Sequence, residues 1–230
     1  MKNYINDFLR LFFPSVCLIC GNALLTHENY ICRKCNKDLP KSHFHLADNN
    51  PLNQLFWGRT NIDKVVSYLL YTHGNMVKHI LHALKYRNQK ELGFELGKRY
   101  SQELAEISYF DEVDWVIPVP IHAKKLAIRG YNQSEWIAKG ICENLNGEIM
   151  PDNLYKKTFT STQTNKSRYQ RWENIENTFD LRDANALENK TVLLVDDVLT
   201  TGATIEGCAN TLETIPGITV HVATLAYATN

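Results

Sequence analysis

A chain of 230 residues, 44% hydrophobic and 22% charged, has the composition of a folded globular protein and not of a disordered one. Lysine plus arginine and aspartate plus glutamate each total 25, for a formal net charge of zero at pH 7. That excludes a whole-molecule field favouring nucleic acid, so any anion site must be local.

Near the start, the apolar stretches Phe8–Leu9 and Leu11–Phe13 are interrupted by Arg10 and ended by Pro14. They are too short for a transmembrane helix and lack the pattern of a secretory leader. The expectation is a cytoplasmic protein without membrane insertion, and a reducing compartment then governs how the cysteines are read.

Residues 17–35, CLICGNALLTHENYICRKC, hold two C-x-x-C pairs, Cys17/Cys20 and Cys32/Cys35. Such a turn aims two thiolates at one point, and Gly21 suits the tight turn after the first pair. Two knuckles make the closed S4 set of structural Zn2+, with no open position for chemistry. Two disulfides or redox-active pairs are the alternative, disfavoured by this spacing in a reducing compartment. His27 lies in the intervening loop, but four thiols already fill the shell. A module of about fifty residues builds little core alone, so the ion would supply much of its folding free energy. Cys142 and Cys208 fall at apolar positions of later helices and read as inert small hydrophobes.

Lys41 to Arg59 is polar, rich in His and Asn, and contains Pro51, which reads as a linker or irregular connection. The division that follows is 1–50 for a zinc-binding module and linker, and 51–230 for the main domain. Residues 63–72 are rich in β-formers. Residues 75 to about 107 show helical spacing, with Val77, Ile80, Leu81 and Leu84 on one face. VDWVIPVP (113–120) is a strand ended by prolines; residues 132–145 form a helix through Ile137, Ile141 and Leu145. DNLYKKTF (152–159) reads as a short strand, and residues 160–179 are polar without an apolar period. A strand at 191–195, a helix at 203–214 and a strand at 218–227 close the chain. Strands alternating with helices predict an α/β fold, a doubly wound and mainly parallel sheet.

TVLLVDDVLTTGAT (191–204) carries the chemistry. Val192–Val195 is apolar without alternation, as for a strand covered on both faces. In such sheets ligands bind outside the carboxyl ends of the strands, where Asp196 and Asp197 fall. Backbone N–H groups at the following helix start are free to cradle a phosphate. Gly202 allows close approach, and the threonine hydroxyls add donors. Ionised carboxylates only accept, so the vicinal hydroxyls of a ribose are their natural partners. The plainer alternative is a threonine helix cap with a solvated aspartate. A Walker-type phosphate loop is excluded because its G-x-x-x-x-G-K-[ST] signature is missing.

This stretch resembles the phosphoribosyl-pyrophosphate (PRPP) motif of type I phosphoribosyltransferases. With the cysteine knuckles and VIPVPIHAKKLAIRGYNQ (116–133), the chain resembles the ComF/GntX family of phosphoribosyltransferase-like proteins from about Cys17 to Ala226. The resemblance implies that Asp196 and Asp197 contact the ribose hydroxyls and that Thr200, Thr201, Gly202, Ala203 and Thr204 hold the 5-phosphate. It implies that the 118–133 loop takes pyrophosphate with Mg2+, through His122, Lys124, Lys125, Arg129, Gly130, Asn132 and Gln133. Arg129, Asp196 and Asp197 are then the catalytic group. Residues 160–179 correspond to the family's mobile lid, with Thr162, Gln163, Asn174 and Phe179 kept and with Lys166, Arg168 and Arg171 supplying positive charge. Asn165–Lys166 and the lysines at 156 and 157 depart from its usual pattern. Lys85 in HALKY (82–86) matches a lysine typical of the family near the site.

Three functions stay open from this resemblance: a phosphoribosyltransferase using PRPP on an undetermined acceptor, a PRPP-sensing adaptor without transfer activity, and a competence protein in DNA uptake. The last would use Arg168–Trp172, where basic and aromatic residues interleave as in single-strand binders.

Overall fold

The structure is a computed structural model that describes residues 15–47, 50–72, 74, 76–157 and 178–229. Among these, five parallel strands form one sheet: β1 (Lys64–Tyr71), β2 (Trp115–Pro118), β3 (Glu148–Ile149), β6 (Thr191–Leu199) and β7 (Thr219–Ala228), in the order β1-β7-β6-β2-β3. A separate antiparallel ribbon pairs β4 (Leu154–Lys156) with β5 (Phe179–Leu181).

The period-2 geometry of the central strands divides the core in two. From β1 and β6, Val66, Tyr68, Leu193 and Val195 point to one face. There they meet α2 (Val77–Tyr86), α3 (Lys90–Ala105) and α5 (Gln133–Ile141) through Ile80, Leu84, Leu96 and Ile137. Val65, Val192 and Leu194 point to the other face, against α6 (Ala203–Leu212) through Ile205, Cys208 and Leu212. Helices on both faces of a parallel sheet make this the doubly wound α/β class expected from the sequence. No helix of the described residues is long and apolar enough to cross a membrane.

The helical stretch predicted over 75–107 is two helices. Arg87 ends α2, and Asn88 takes a left-handed conformation at φ 52°, which asparagine tolerates better than most residues. The helices α3 and α5 then pack backbone to backbone: a Cβ on Gly97 would collide with the carbonyl of Ile137, and one on Gly140 with that of Phe94.

The segment read as a linker is irregular, but it is tied to the sheet. Ser42 N donates to Tyr68 O at 2.9 Å and Leu70 N to Pro40 O at 2.8 Å, so residues 40–42 lie antiparallel along the edge of β1. Leu52 and Phe56 are fully buried against the second face. The first face also receives Cys17, Ile31, Cys35 and Leu39, beside the short helix α1 (Arg33–Lys37).

Candidate active site and metal centre

Strand β6 runs through both aspartates to Leu199, four residues beyond the end read from the apolar run. Thr200–Gly202 then turn into α6. Gly202 occupies the N-cap at φ 82° and provides no side-chain cap. The plain threonine-cap reading is therefore not what the turn adopts, and the first amides of α6 lack a side-chain acceptor at the cap. Gly202 also lies close to Phe56, whose ring atom Cε1 would lie 2.9 Å from an added Cβ. Behind the turn, Arg59 donates to Thr201 O at 3.2 Å and pairs with Glu206, anchoring the loop to the former linker.

Residues 118–133, read as a loop, contain a helix, α4 (Ala123–Arg129). Its start is capped by His122, whose Nδ1 accepts from Lys124 N at 3.1 Å. Its end is a glycine stop: Gly130 at φ 78° sends its N–H to Leu126 O. Asn132 caps α5 by accepting from Ser134 N at 3.2 Å, and its Nδ2 donates to Val119 O at 3.0 Å. Arg129 donates to Gln133 Oε1 at 2.8 Å, with its guanidinium 5.8 Å from the centroid of the Tyr86 ring. Tyr131 reaches the Leu84 carbonyl. The R-G-Y-N-Q run thus fastens a helix stop, a helix cap and α2 to one another.

These elements enclose a cleft of about 250 Å3 at the carboxyl ends of β2 and β6. Lys85, His122, Lys125, Arg129 and Lys156 line it together with Asp196, Asp197, Thr200 and Thr204. A smaller concavity of about 30 Å3 follows the turn itself, lined by Thr200, Thr201, Gly202, Ala203, Thr204 and Asp196 among others. Of the residues predicted from the sequence, Lys124, Gly130, Asn132 and Gln133 line neither space. The lid residues Thr162, Gln163, Asn165, Lys166, Arg168, Arg171 and Asn174 lie outside the described residues, as does Trp172.

Within the cleft the two aspartates differ. Asp197 Oδ2 pairs with Lys85 Nζ at 2.9 Å. Asp196 Oδ1 accepts from Ser134 Oγ at 2.8 Å and from Asp197 N at 2.8 Å. Desolvation, reinforced by the charge of Asp197, still holds the Asp196 carboxyl well above the usual carboxylate range. Two like charges on adjacent residues do not ionise independently, and the cation is given to one of them. Ser134 and Lys156 were not among the site residues picked out from the sequence. Ser134 follows the Asn132 cap by two residues, the only sequence sign that it faces the strand end.

At the other end of the chain, Cys17, Cys20, Cys32 and Cys35 bring all four sulfurs within 4.8 Å of one another, with Cys20 exposed and the rest buried. The Cys20 and Cys32 sulfurs are 3.8 Å apart, close to the ~3.8 Å edge of a tetrahedron with Zn–S bonds of ~2.3 Å. Backbone amides already point at sulfur: Cys32 N donates to Cys17 Sγ at 3.3 Å and Cys35 N to Cys32 Sγ at 3.5 Å. Burial raises the Cys17 thiol, but backbone donors at Cys20, Cys32 and Ile19 outweigh it and bring it down to about 7. Cys35, desolvated and crowded by the other sulfurs, is pushed far up. All six cysteines are free thiols, and the donor set fits a structural zinc ion. His27 is not part of the cluster.

The class follows from comparison with known proteins. Residues 142–229 match the family model described as a phosphoribosyl transferase domain, which takes in β6, the threonine turn, α6 and β7. Over those residues the chain is thus similar to a phosphoribosyl transferase domain, and it carries a four-cysteine cluster at its amino-terminal end.

Its homologues are of the ComF and YhgH type. The DNA utilization protein YhgH of Shigella flexneri is 25% identical over 90% of this chain and 88% of its own length. Competence protein ComFC of Bacillus subtilis is 24% identical over 86% of this chain and 71% of its own. Competence protein F of Haemophilus influenzae is 24% identical over 94% and 99%, respectively. Among solved structures, an allosteric regulatory enzyme of purine biosynthesis matches at 23% identity and a TM-score of 0.41, over 57% of this chain and 25% of that one. A hypoxanthine phosphoribosyltransferase from Staphylococcus aureus matches at 16% identity and a TM-score of 0.38, over 60% and 64%.

Proposed function

We propose that the cleft at the end of β6 binds PRPP and that the protein serves DNA uptake or utilisation, as the names of its relatives indicate for them. One observation carries the reading. Two carboxylates and the cations Lys85, Lys125, Arg129 and Lys156 face one cleft, and an uncapped helix start behind a glycine turn lines the concavity that shares Asp196, Thr200 and Thr204 with it. A ligand that matches all three has a diol, a monophosphate and a more highly charged anion. PRPP is such a molecule.

In this reading the Thr200–Thr204 turn and the α6 amides take the 5-phosphate, and Asp196 and Asp197 accept from the ribose hydroxyls. Arg129 and Lys125 lie across the cleft as partners for pyrophosphate, Arg129 with its planar fork held by Gln133. Among the described residues, Asp196 and Asp197 are the carboxylates lining the cleft. A Mg2+ ion arriving with the pyrophosphate fits there, since Mg2+ is commonly held by one or two carboxylates plus substrate phosphates. It would neutralise charge on the departing group.

Loss of pyrophosphate from C1 builds positive charge on the ribose ring. The chain's contribution is to position the sugar and to place carboxylate charge beneath it, while cations hold the leaving group. No side chain is assigned as general base. Calorimetry with PRPP and Mg2+ tests the site: wild type should bind, and D196N/D197N should not. Unchanged affinity in the double variant would remove the proposal. Screening nucleobases and amines for PRPP-dependent pyrophosphate release separates a transferase from a PRPP-sensing adaptor.

A further inference from the structure

We propose that His43, His45 and Glu103 form a second metal site, for a divalent ion of the zinc class, independent of the cysteine cluster and of the PRPP reading. One ring nitrogen of each histidine and one carboxylate oxygen of Glu103 all lie within 4.8 Å of one another. Two imidazoles and a carboxylate are an established ligand set for Zn2+, leaving a fourth position to water.

The fold brings the three together from distant parts of the chain. Residues 40–42 are pinned to the edge of β1 by the Ser42–Tyr68 and Leu70–Pro40 hydrogen bonds. His43 follows at once in a left-handed conformation, φ 53°, and opens the single 3-10 turn Phe44–Leu46. Histidine is among the non-glycine residues that take this conformation most readily. The turn sets the His43 and His45 rings 6.2 Å apart, centroid to centroid. Glu103 reaches them from α3, roughly sixty residues later in the chain.

A second observation points to a ligand. His45 is only 8% exposed, and its ring lies edge-on to Tyr100. Its Nδ1 is buried without a hydrogen-bond partner among the described residues. Buried ring nitrogens are nearly always satisfied, and this one is left open for a ligand. His43 is exposed, so the site has a path for entry.

Lys41 is the competing cation, since its ammonium holds Oε1 of Glu103. The Tyr68 hydroxyl also bonds this carboxylate, yet a carboxylate offers about four lone-pair sites, and Lys41 is about one-third exposed, free to turn to solvent. Neutralising Lys41 should therefore tighten metal binding, an outcome that adventitious histidine binding would not give.

The test uses the full chain, stripped of metal under reducing conditions, reloaded with Zn2+ or Co2+ and counted per chain after gel filtration. Wild type should take two equivalents. With Co2+, one shows thiolate-to-metal charge transfer and the other does not. His43→Ala and Glu103→Gln should each lose the equivalent without charge transfer, weakened by more than the ~10- to 100-fold that an outer-shell change costs. Lys41→Met should bind it more tightly. A wild type that takes only the thiolate-bound equivalent overturns the proposal, as does a second equivalent retained in both His43→Ala and Glu103→Gln.

Discussion

Lys85 Nζ lies 2.9 Å from Oδ2 of Asp197, joining the last turn of α2 to the strand that carries the acidic pair. Both side chains are largely buried, so the ion pair is not a screened surface contact. It divides the labour between adjacent carboxylates: Asp197 has a cation, while Asp196 has a serine hydroxyl and a like charge beside it.

Removing the cation should therefore cost more than a surface substitution. Lys85→Met leaves Asp197 without its charge partner and is expected to destabilise the fold by ~1–3 kcal/mol. Denaturant midpoints measure this. The double variant K85M/D197N should recover part of the loss, because no unpaired carboxylate remains. Full additivity of the two single losses would show that the pair is energetically uncoupled.

The acidic pair also sets a pH dependence. Desolvation and the charge of Asp197 raise the Asp196 carboxyl from 3.8 to about 7. Between those values the native protein holds a proton that the unfolded chain has released. Stability from this group is intact below the unfolded value and falls as pH rises towards 7, by about 4 kcal/mol in all. Asp196→Asn should flatten the slope between pH 4 and 7 and be more stable than wild type at pH 8. An Asp196→Asn profile parallel to that of wild type would contradict it.

Helix packing gives a sharper contrast. Gly140→Ala places a methyl group on the Phe94 carbonyl of α3, and backbone has little room to yield. The expected loss is ~3 kcal/mol or more. Gly93→Ala, on the same helix pair, would meet the Leu84 side chain at 3.3 Å and should cost less than ~1 kcal/mol, since a side chain can move. Thermal denaturation of the two variants side by side reads the difference.

At the threonine turn, Gly202 is constrained twice, by φ 82° and by the Phe56 ring. Gly202→Ala is expected to lose ~1–3 kcal/mol of stability. If the turn holds a phosphate, PRPP affinity should fall with it; calorimetry would read that directly.

Metal removal is the simplest experiment at the other end of the chain. Chelation, or Cys17→Ser with Cys35→Ser, should lower the melting temperature and expose Ile31 and Leu39, which share a core with Tyr68 and Leu84. Faster hydrogen exchange across residues 15–39 would be the local signature, and unchanged exchange would argue against a structural ion.

Much of this was legible because its signals are short-range. The β-formers of β1, the unbroken apolar run of β6, the C-x-x-C spacing and the D-D…T-T-G-x-T run each lie within a few residues, where dihedral preference and side-chain chemistry act directly. The break at Asn88 was hidden because helical periodicity continues across it. The helix α4 was hidden for the opposite reason: it buries no residue, so it has no apolar stripe to read. The polar segment at 41–59 reads as a linker because its anchors, Leu52, Phe56 and Arg59, are scattered among polar residues and find partners far along the chain.

By itself, the sequence determined the class of fold and the pairing of the cysteine knuckles, because local pattern and residue type suffice for both. Tertiary structure decided who faces whom. Lys85 beside Asp197, Ser134 beside Asp196, and Glu103 beside two histidines are all contacts across dozens of residues. They depend on how strands are ordered and how closely helices approach, which no local preference specifies.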